Sequence, residues 1–275
     1  MTKRQHLLIL LTAWTLWPVS AMMAQRGEIH EAKSELFTSP TQGFPGFFDT
    51  NMAAKDSLVV EWPPIILPII PVPSIAVDYG VSDTLTVGTN ALVTTLPWLL
   101  GARGASIKAR SLIYGSETMQ SAATVYAGYI GAKDLSVSWQ VLTSNNAWKY
   151  GYNHIVSAQA TLINLGVDSG AAASLDYTNL RLSTLGLGGG YQYLWSDTLA
   201  ISTYLLAPAW TSVEADTVSA NLNANFDVSS GNAMWGVART SFDYRSDEWV
   251  YSLGAMYVHG IYRGVLPWFS ATRRY

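Results

Sequence analysis

From residue 57 onward the chain alternates between apolar and small or polar side chains. Successive side chains of an extended strand point to opposite faces, so a period of two specifies strands with two unlike faces. Leu185, Leu187, Tyr191, Tyr193 and Trp195 share one face, and Gly186, Gly188, Gly190 and Gln192 share the other. Leu199, Ile201 and Leu205 oppose Ala200, Ser202 and Tyr204, while Trp249, Tyr251, Leu253 and Tyr257 oppose Ser252 and Gly254. Leu135, Val137, Trp139 and Val141 alternate with Ser136, Ser138 and Gln140. Ile107, Ala109 and Ile113 oppose Lys108 and Arg110, and Val156, Ala158, Ala160 and Leu162 oppose Ser157, Gln159 and Thr161.

A soluble sandwich packs its apolar face inward and carries many charges outside. Here only 13% of residues are charged and 49% are hydrophobic. That is about half the usual charged share of soluble domains. The second face is mostly Gly, Ser, Thr, Gln and Ala. A transmembrane barrel accounts for this pairing, because apolar side chains meet lipid and small polar ones meet the lumen. Closure also gives every backbone group a partner, which lipid demands. The fold expected is therefore all-β: a transmembrane, antiparallel, up-and-down β-barrel. A secreted soluble β-sandwich is the competing reading.

Residues 1–21 are laid out as a secretory signal peptide. Lys3, Arg4 and His6 are basic, Leu7 to Trp17 is apolar, and Val19-Ser20-Ala21 supplies small residues for cleavage. A second candidate cut follows Ala24. The apolar run falls short of the ~20 residues of a spanning helix. Removing the leader leaves 14 basic against 19 acidic residues, a net charge of −5. No basic block points to nucleic acid. There is no cysteine for a disulfide or a lipid anchor. Residues 22–56 do not alternate and are expected to be a periplasmic leader or a segment in the lumen. Residues 57–275 form the barrel.

Connection lengths give a strand count. Short turns are expected near 82–83, 115–119, 144–150, 196–197 and 246–247. Long connections are expected near 92–103, 164–182 and 207–231, with a short exception at 132–134. The stretch from Tyr79 to Thr89 parallels that from Tyr193 to Thr203, and each places Ser-Asp between two alternating runs. Both residue types favour tight turns. Bacterial barrels have even strand numbers and short periplasmic turns. This parity requires a strand at Ser57 to Trp62 and gives about twelve strands, or ten if the first and last candidates are dropped. Residues 63–74 then become the first outer loop, which carries the proline-rich stretch from Trp62 to Pro73. Its prolines favour extended backbone, and it is expected to dip against the rim, cap the lumen or bind a partner.

With these features the sequence resembles the broad, porin-like class of Gram-negative outer-membrane β-barrel proteins, over residues 57–275 and the leader. The resemblance implies residence in the cell outer membrane. It also implies a last strand closing on a terminal aromatic residue; Tyr275 and Phe269 match this, while Pro267 and Arg273 depart from the usual alternation.

Asp78, Lys108, Arg110, Arg239 and Asp243 fall opposite the larger apolar residues. A Lys or Arg facing mid-membrane lipid would cost about 2–4 kcal/mol, so these five are expected to line the lumen. They would either border an aqueous path or fill a narrow barrel as a charge network. Trp139, Tyr193, Trp195, Trp249 and Tyr251 are expected to form an aromatic girdle at the membrane interface. Outer-membrane lipid is the expected partner, and small solutes the expected ligands. No metal spacing stands out, and no cofactor is expected. His30, His154 and His259 have no carboxylate nearby in sequence, so no catalytic residue is assigned. The leading function is a passive porin-like channel for small solutes. A structural or surface-interaction barrel with a filled lumen is second, and a lipid-modifying enzyme third.

Overall fold

The computed structural model describes residues 52–53 and 55–274, except 63, 68–69, 74, 100, 117, 133–134, 152, 170–179, 197, 216–235, 247–248 and 260–262. Fourteen strands and one helix occur among them. In chain order they are β1 (Leu58–Trp62), β2 (Pro64–Leu67), β3 (Ile70–Pro73), β4 (Ala76–Ser82), β5 (Leu85–Asn90), α1 (Ala91–Leu99), β6 (Arg103–Gly115) and β7 (Met119–Gly131). Then follow β8 (Leu135–Tyr150), β9 (His154–Ser169), β10 (Leu180–Leu194), β11 (Leu199–Ala215), β12 (Gly236–Ser246), β13 (Trp249–His259) and β14 (Gly264–Arg274).

Twelve of these strands close into an antiparallel barrel, β1-β14-β13-β12-β11-β10-β9-β8-β7-β6-β5-β4. The closing seam pairs β1 with β14, for example Val60 with Arg273, and β1 with β4, for example Leu58 with Tyr79. This is the up-and-down plan with twelve strands and not ten. The strand expected before the proline-rich segment is β1. That segment itself supplies β2 and β3, which pair only with each other. Proline has no N–H to give a ladder, so a two-stranded ribbon made wholly of edges suits it.

The distribution of side chains is inside out relative to a soluble protein. Exposed large hydrophobics such as Val81, Ile107, Val125, Leu205, Phe242, Leu253, Val265 and Phe269 lie on the outer face. The buried set includes Asp78, Lys108, Arg110, Gln120, Thr143, Asn145, Gln192, Arg239 and Asp243. Water on both sides of the wall would not favour this arrangement, whereas lipid outside does.

One barrel end carries the turns β4–β5, β6–β7, β8–β9, β10–β11 and β12–β13, and is called here the turn end. The other, the loop end, carries the remaining connections. The turn expected at 144–150 is instead strand. β8 runs to Tyr150 and β9 starts at His154, and Gly151 between them adopts φ +61°. Asn145-Asn146 resembles a turn signal, yet Asn145 pairs with Gln159 across the ladder and is buried inside the barrel. The connections expected at 164–182 and 207–231 are shorter, because β9, β10 and β11 continue beyond them. The signal peptide expected at 1–21, residues 22–51 and 54 of the segment expected at 22–56, residues 170–179 and 216–235 of these two connections, and Tyr275 lie outside the described residues. At the turn end Met52 and Ala53 are buried, and the Ala53 amide donates to Thr86 Oγ1 at 3.0 Å.

The connection expected at 92–103 contains α1. Asn90 caps it, its Oδ1 accepting from the amides of Leu92 (3.1 Å) and Val93 (3.2 Å). Gly101, at φ +75°, ends the turn that follows, and the Ala102 amide donates to Pro97 O at 2.7 Å. Left-handed backbone of this kind after a helix favours glycine.

Candidate functional site in the lumen

β6 places Gly104, Lys108 and Arg110 on the inner face, and α1 lies against that face. A Cβ at Gly104 would sit 2.2 Å from Val93 O and 2.6 Å from Pro97 Cγ, so glycine is what lets the helix approach the wall. Val93 joins one continuous apolar cluster with Tyr126, Trp139, Val141, Ile163, Tyr204, Leu206, Val237, Met256, Val258 and Trp268. These residues come from seven strands, so α1 narrows the interior itself and does not only edge its rim.

The five residues expected in the lumen all face inward. They divide into separate groups. Lys108 and Asp78 form a buried ion pair, each residue 3% exposed. They lie on β6 and β4 and meet across β5, because Gly88 faces both of them. A Cβ there would lie 1.9 Å from Asp78 Oδ1 and 2.6 Å from Val77 O. Arg110 Nε donates to Thr124 Oγ1 at 3.3 Å. Asp243 accepts from Ser202 and, at 3.0 Å, from Ser241, while Gln192 Nε2 donates to Ser202 Oγ at 2.8 Å. Arg239 makes no hydrogen bond to these groups, although Asp243 acts on it electrostatically, and its guanidinium carbon lies 5.1 Å from the Trp268 ring centroid.

Sequence reasoning did not single out several inner residues. Glu61 is buried on β1, directly paired with Ala76. Tyr204 crosses β10 to donate to Gln159 on β9. Gly188 and Gly190 make that crossing feasible: a Cβ at Gly188 would come within 2.9 Å of the Tyr204 hydroxyl. The triple glycine at 188–190 therefore reads as clearance for a side chain, a signal available only once strand neighbours are known.

Trp139 corrects the expected girdle. It is 5% exposed, faces the lumen and packs in the apolar cluster 5.9 Å from Tyr126. The physical reason lies in β8, whose larger apolar residues Val137, Trp139 and Val141 take the inner face. Gln140, Leu142, Ser144 and Asn146 take the outer one. Gly128, paired with Trp139, clears space for the indole. The other four girdle candidates lie on the outer side near the turn end. Tyr193 meets His154 at 5.3 Å between centroids. Trp195 is exposed just beyond β10. Trp249 stacks on Tyr251 at 5.7 Å, and Arg273 lies 5.3 Å over Trp249.

His154 Nδ1 is 2.7 Å from the Tyr191 hydroxyl on the outer face, and His259 stacks near Tyr257. Among the described residues neither histidine is hydrogen-bonded to a carboxylate. No group of three His, Cys, Asp or Glu residues gathers there to hold a metal ion.

No protein-family model matches the chain, and no curated protein matches it by sequence. Solved structures do. An outer-membrane channel of Pseudomonas putida F1 is similar over 86% of this chain and 98% of its own, with TM-score 0.50 and 10% identity. The NanC porin is similar over 79% and 97%, with TM-score 0.40 and 7% identity. OmpT of Vibrio cholerae, expressed in the outer membrane, is similar over 74% of this chain, with TM-score 0.39 and 9% identity. The chain spans 65% of OmpT. The closed twelve-strand wall, its inside-out side chains and the Pseudomonas likeness together define the class: the chain has the fold of an outer-membrane β-barrel protein.

Proposed function

We propose that the chain resides in the outer membrane as a passive channel for small solutes, with a lumen narrowed by α1. The observation that carries this reading is the seat of α1 on the inner face of β6, with Val93 in the apolar cluster. Eight strands can be filled by wall side chains alone, and about 16–18 leave an open channel. Twelve strands lie between these limits, and an inserted element narrows the lumen further. An insertion between two strands does so while leaving the wall ladder intact. That the Pseudomonas putida protein of the same fold is described as a channel accords with this reading. Tyr193, Trp195, Trp249 and Tyr251 serve as interfacial anchors, where an apolar ring body and a polar tip suit the headgroup level.

Folded protein in a planar bilayer is expected to give discrete conductance steps. Replacing residues 91–99 with a Gly-Ser linker of equal length is expected to raise the step several-fold. Correctly folded protein that never conducts, with or without the helix, would remove the channel and leave the barrel.

The second reading, a structural barrel with a filled lumen, is favoured by the near-complete burial of the five inner charges. Charge reversal at Lys108 and Arg110 separates the two in the same apparatus. A channel changes its ion selectivity, whereas a filled barrel loses stability alone.

A further inference from the structure

Arg239 occupies a boundary. Its row on the inner face is Tyr204, Arg239, Met256 and Leu266, set by direct cross-strand pairs. Toward the turn end, the next row holds Ser202, Ser241, Gly254 and Trp268, and the one after it Ala200, Asp243, Ser252 and Ser270. Toward the loop end, the next row holds Leu206, Val237 and Val258. The guanidinium is thus the last polar group before an apolar zone.

It is also the one inner cation among the described residues with no hydrogen bond at any nitrogen. Arg239 is 2% exposed, and its Nε and both terminal nitrogens have no hydrogen-bond partner. Asp243 and Tyr204 lie close enough to act on it electrostatically, but neither accepts a hydrogen bond from it. The Asp243 carboxylate accepts from Ser202 and Ser241, and the Tyr204 hydroxyl donates to Gln159. The Trp268 ring face offers a cation–π contact but no acceptor. A guanidinium presents five donors in a planar fork that matches a carboxylate. Burying it without acceptors is unfavourable unless something supplies them.

We propose that Arg239 and Trp268 form a binding station for the carboxylate of a small amphipathic anion, whose apolar body lies against Leu206, Val237 and Val258. This rests on the channel reading, because a crossing solute must part the packing at this row and thereby reaches the guanidinium. The station selects by class: an apolar acid is held at the boundary, while a neutral molecule of the same shape is not. The carboxylate arrives already ionised and forms no covalent bond.

Isothermal titration of the full, folded chain in detergent with benzoate, and with benzyl alcohol as its neutral counterpart, tests the station. Benzoate is expected to bind saturably and more tightly than benzyl alcohol. Arg239→Gln is expected to weaken benzoate about tenfold or more, as for the loss of a charged hydrogen bond, and Arg239→Lys to recover part of that. Equal binding of both compounds to the wild type, binding of neither, or an undiminished Arg239→Gln would overturn the proposal. Should Arg239→Gln fail to fold, the comparison of the two compounds on the wild type still decides. Conductance in potassium chloride keeps the two readings apart. Benzoate binding without conductance supports the station and removes the channel, while conductance without preference for benzoate removes the station alone.

Discussion

Replacing Lys108 with methionine is expected to cost the barrel about 3–5 kcal/mol, the usual penalty for leaving one partner of a buried ion pair uncompensated. Asp78 and Lys108 are both nearly inaccessible, and Gly88 holds the space through which they meet. The loss would come chiefly from Asp78, whose charge would remain in a low-dielectric interior. Replacing the pair together, Asp78→Leu with Lys108→Met, is expected to return most of the loss, because apolar groups of similar volume remove both desolvation penalties. Denaturant midpoints of reversible folding into vesicles measure all three variants. A single variant within about 1 kcal/mol of wild type, the ordinary range of exposed pairs, would mean that water reaches this pair.

Gly128→Val is expected to destabilise by about 1–3 kcal/mol through overpacking. A Cβ at this position would lie 2.1 Å from Trp139 Cζ2 and 2.4 Å from Cε2. The indole would have to leave its place beside Tyr126 and open the apolar cluster. Ala127→Val, one residue away but on the outer face, supplies the control. It meets lipid and is expected to stay within about 0.5 kcal/mol of wild type, as for most surface changes. Equal effects at 127 and 128 would contradict the face assignment of β7.

The contrast between those neighbours also explains what the sequence made legible. In β10, β11 and β13 the expected outer residues Leu187, Tyr191, Leu199, Leu205, Leu253 and Tyr257 do face outward, although Tyr204, Leu206, Met256 and Val258 join the inner face. Charges fix the polarity of β4, β6 and β12, since Asp78, Lys108, Arg110, Arg239 and Asp243 are too costly to turn toward lipid. β8 has no charge before Lys149, so alternation alone cannot say which face is inside. Its orientation comes from its neighbours: Gln159 and Thr161 of β9 face inward opposite Asn145 and Thr143. That pairing is non-local, and Trp139 was therefore assigned to the wrong side.

α1 was hidden differently. Asn90 before Ala-Leu-Val, with Gly101 after the apolar run, is a helix start and stop. Pro97 reads as a breaker, yet it falls in the last turn. Arg239 was legible as an inner charge, but its lack of a hydrogen bond to Asp243 was not. The two are four residues apart along one strand, and the hydroxyls of Ser202 on β11 and Ser241 on β12 itself bond the carboxylate.

The unequal strand lengths have a consequence for how molecules approach the mouth. β8, β9, β10 and β11 have 16, 16, 15 and 17 residues, against seven and six for β4 and β5. A membrane-spanning strand needs about 9–11. The long strands therefore carry about five residues beyond the bilayer, roughly 15 Å along the strand. The rim is oblique, with a palisade on one side and a sill on the other. The sill is where β5 gives way to α1; if the barrel conducts as proposed, the helix borders the lower side of its mouth.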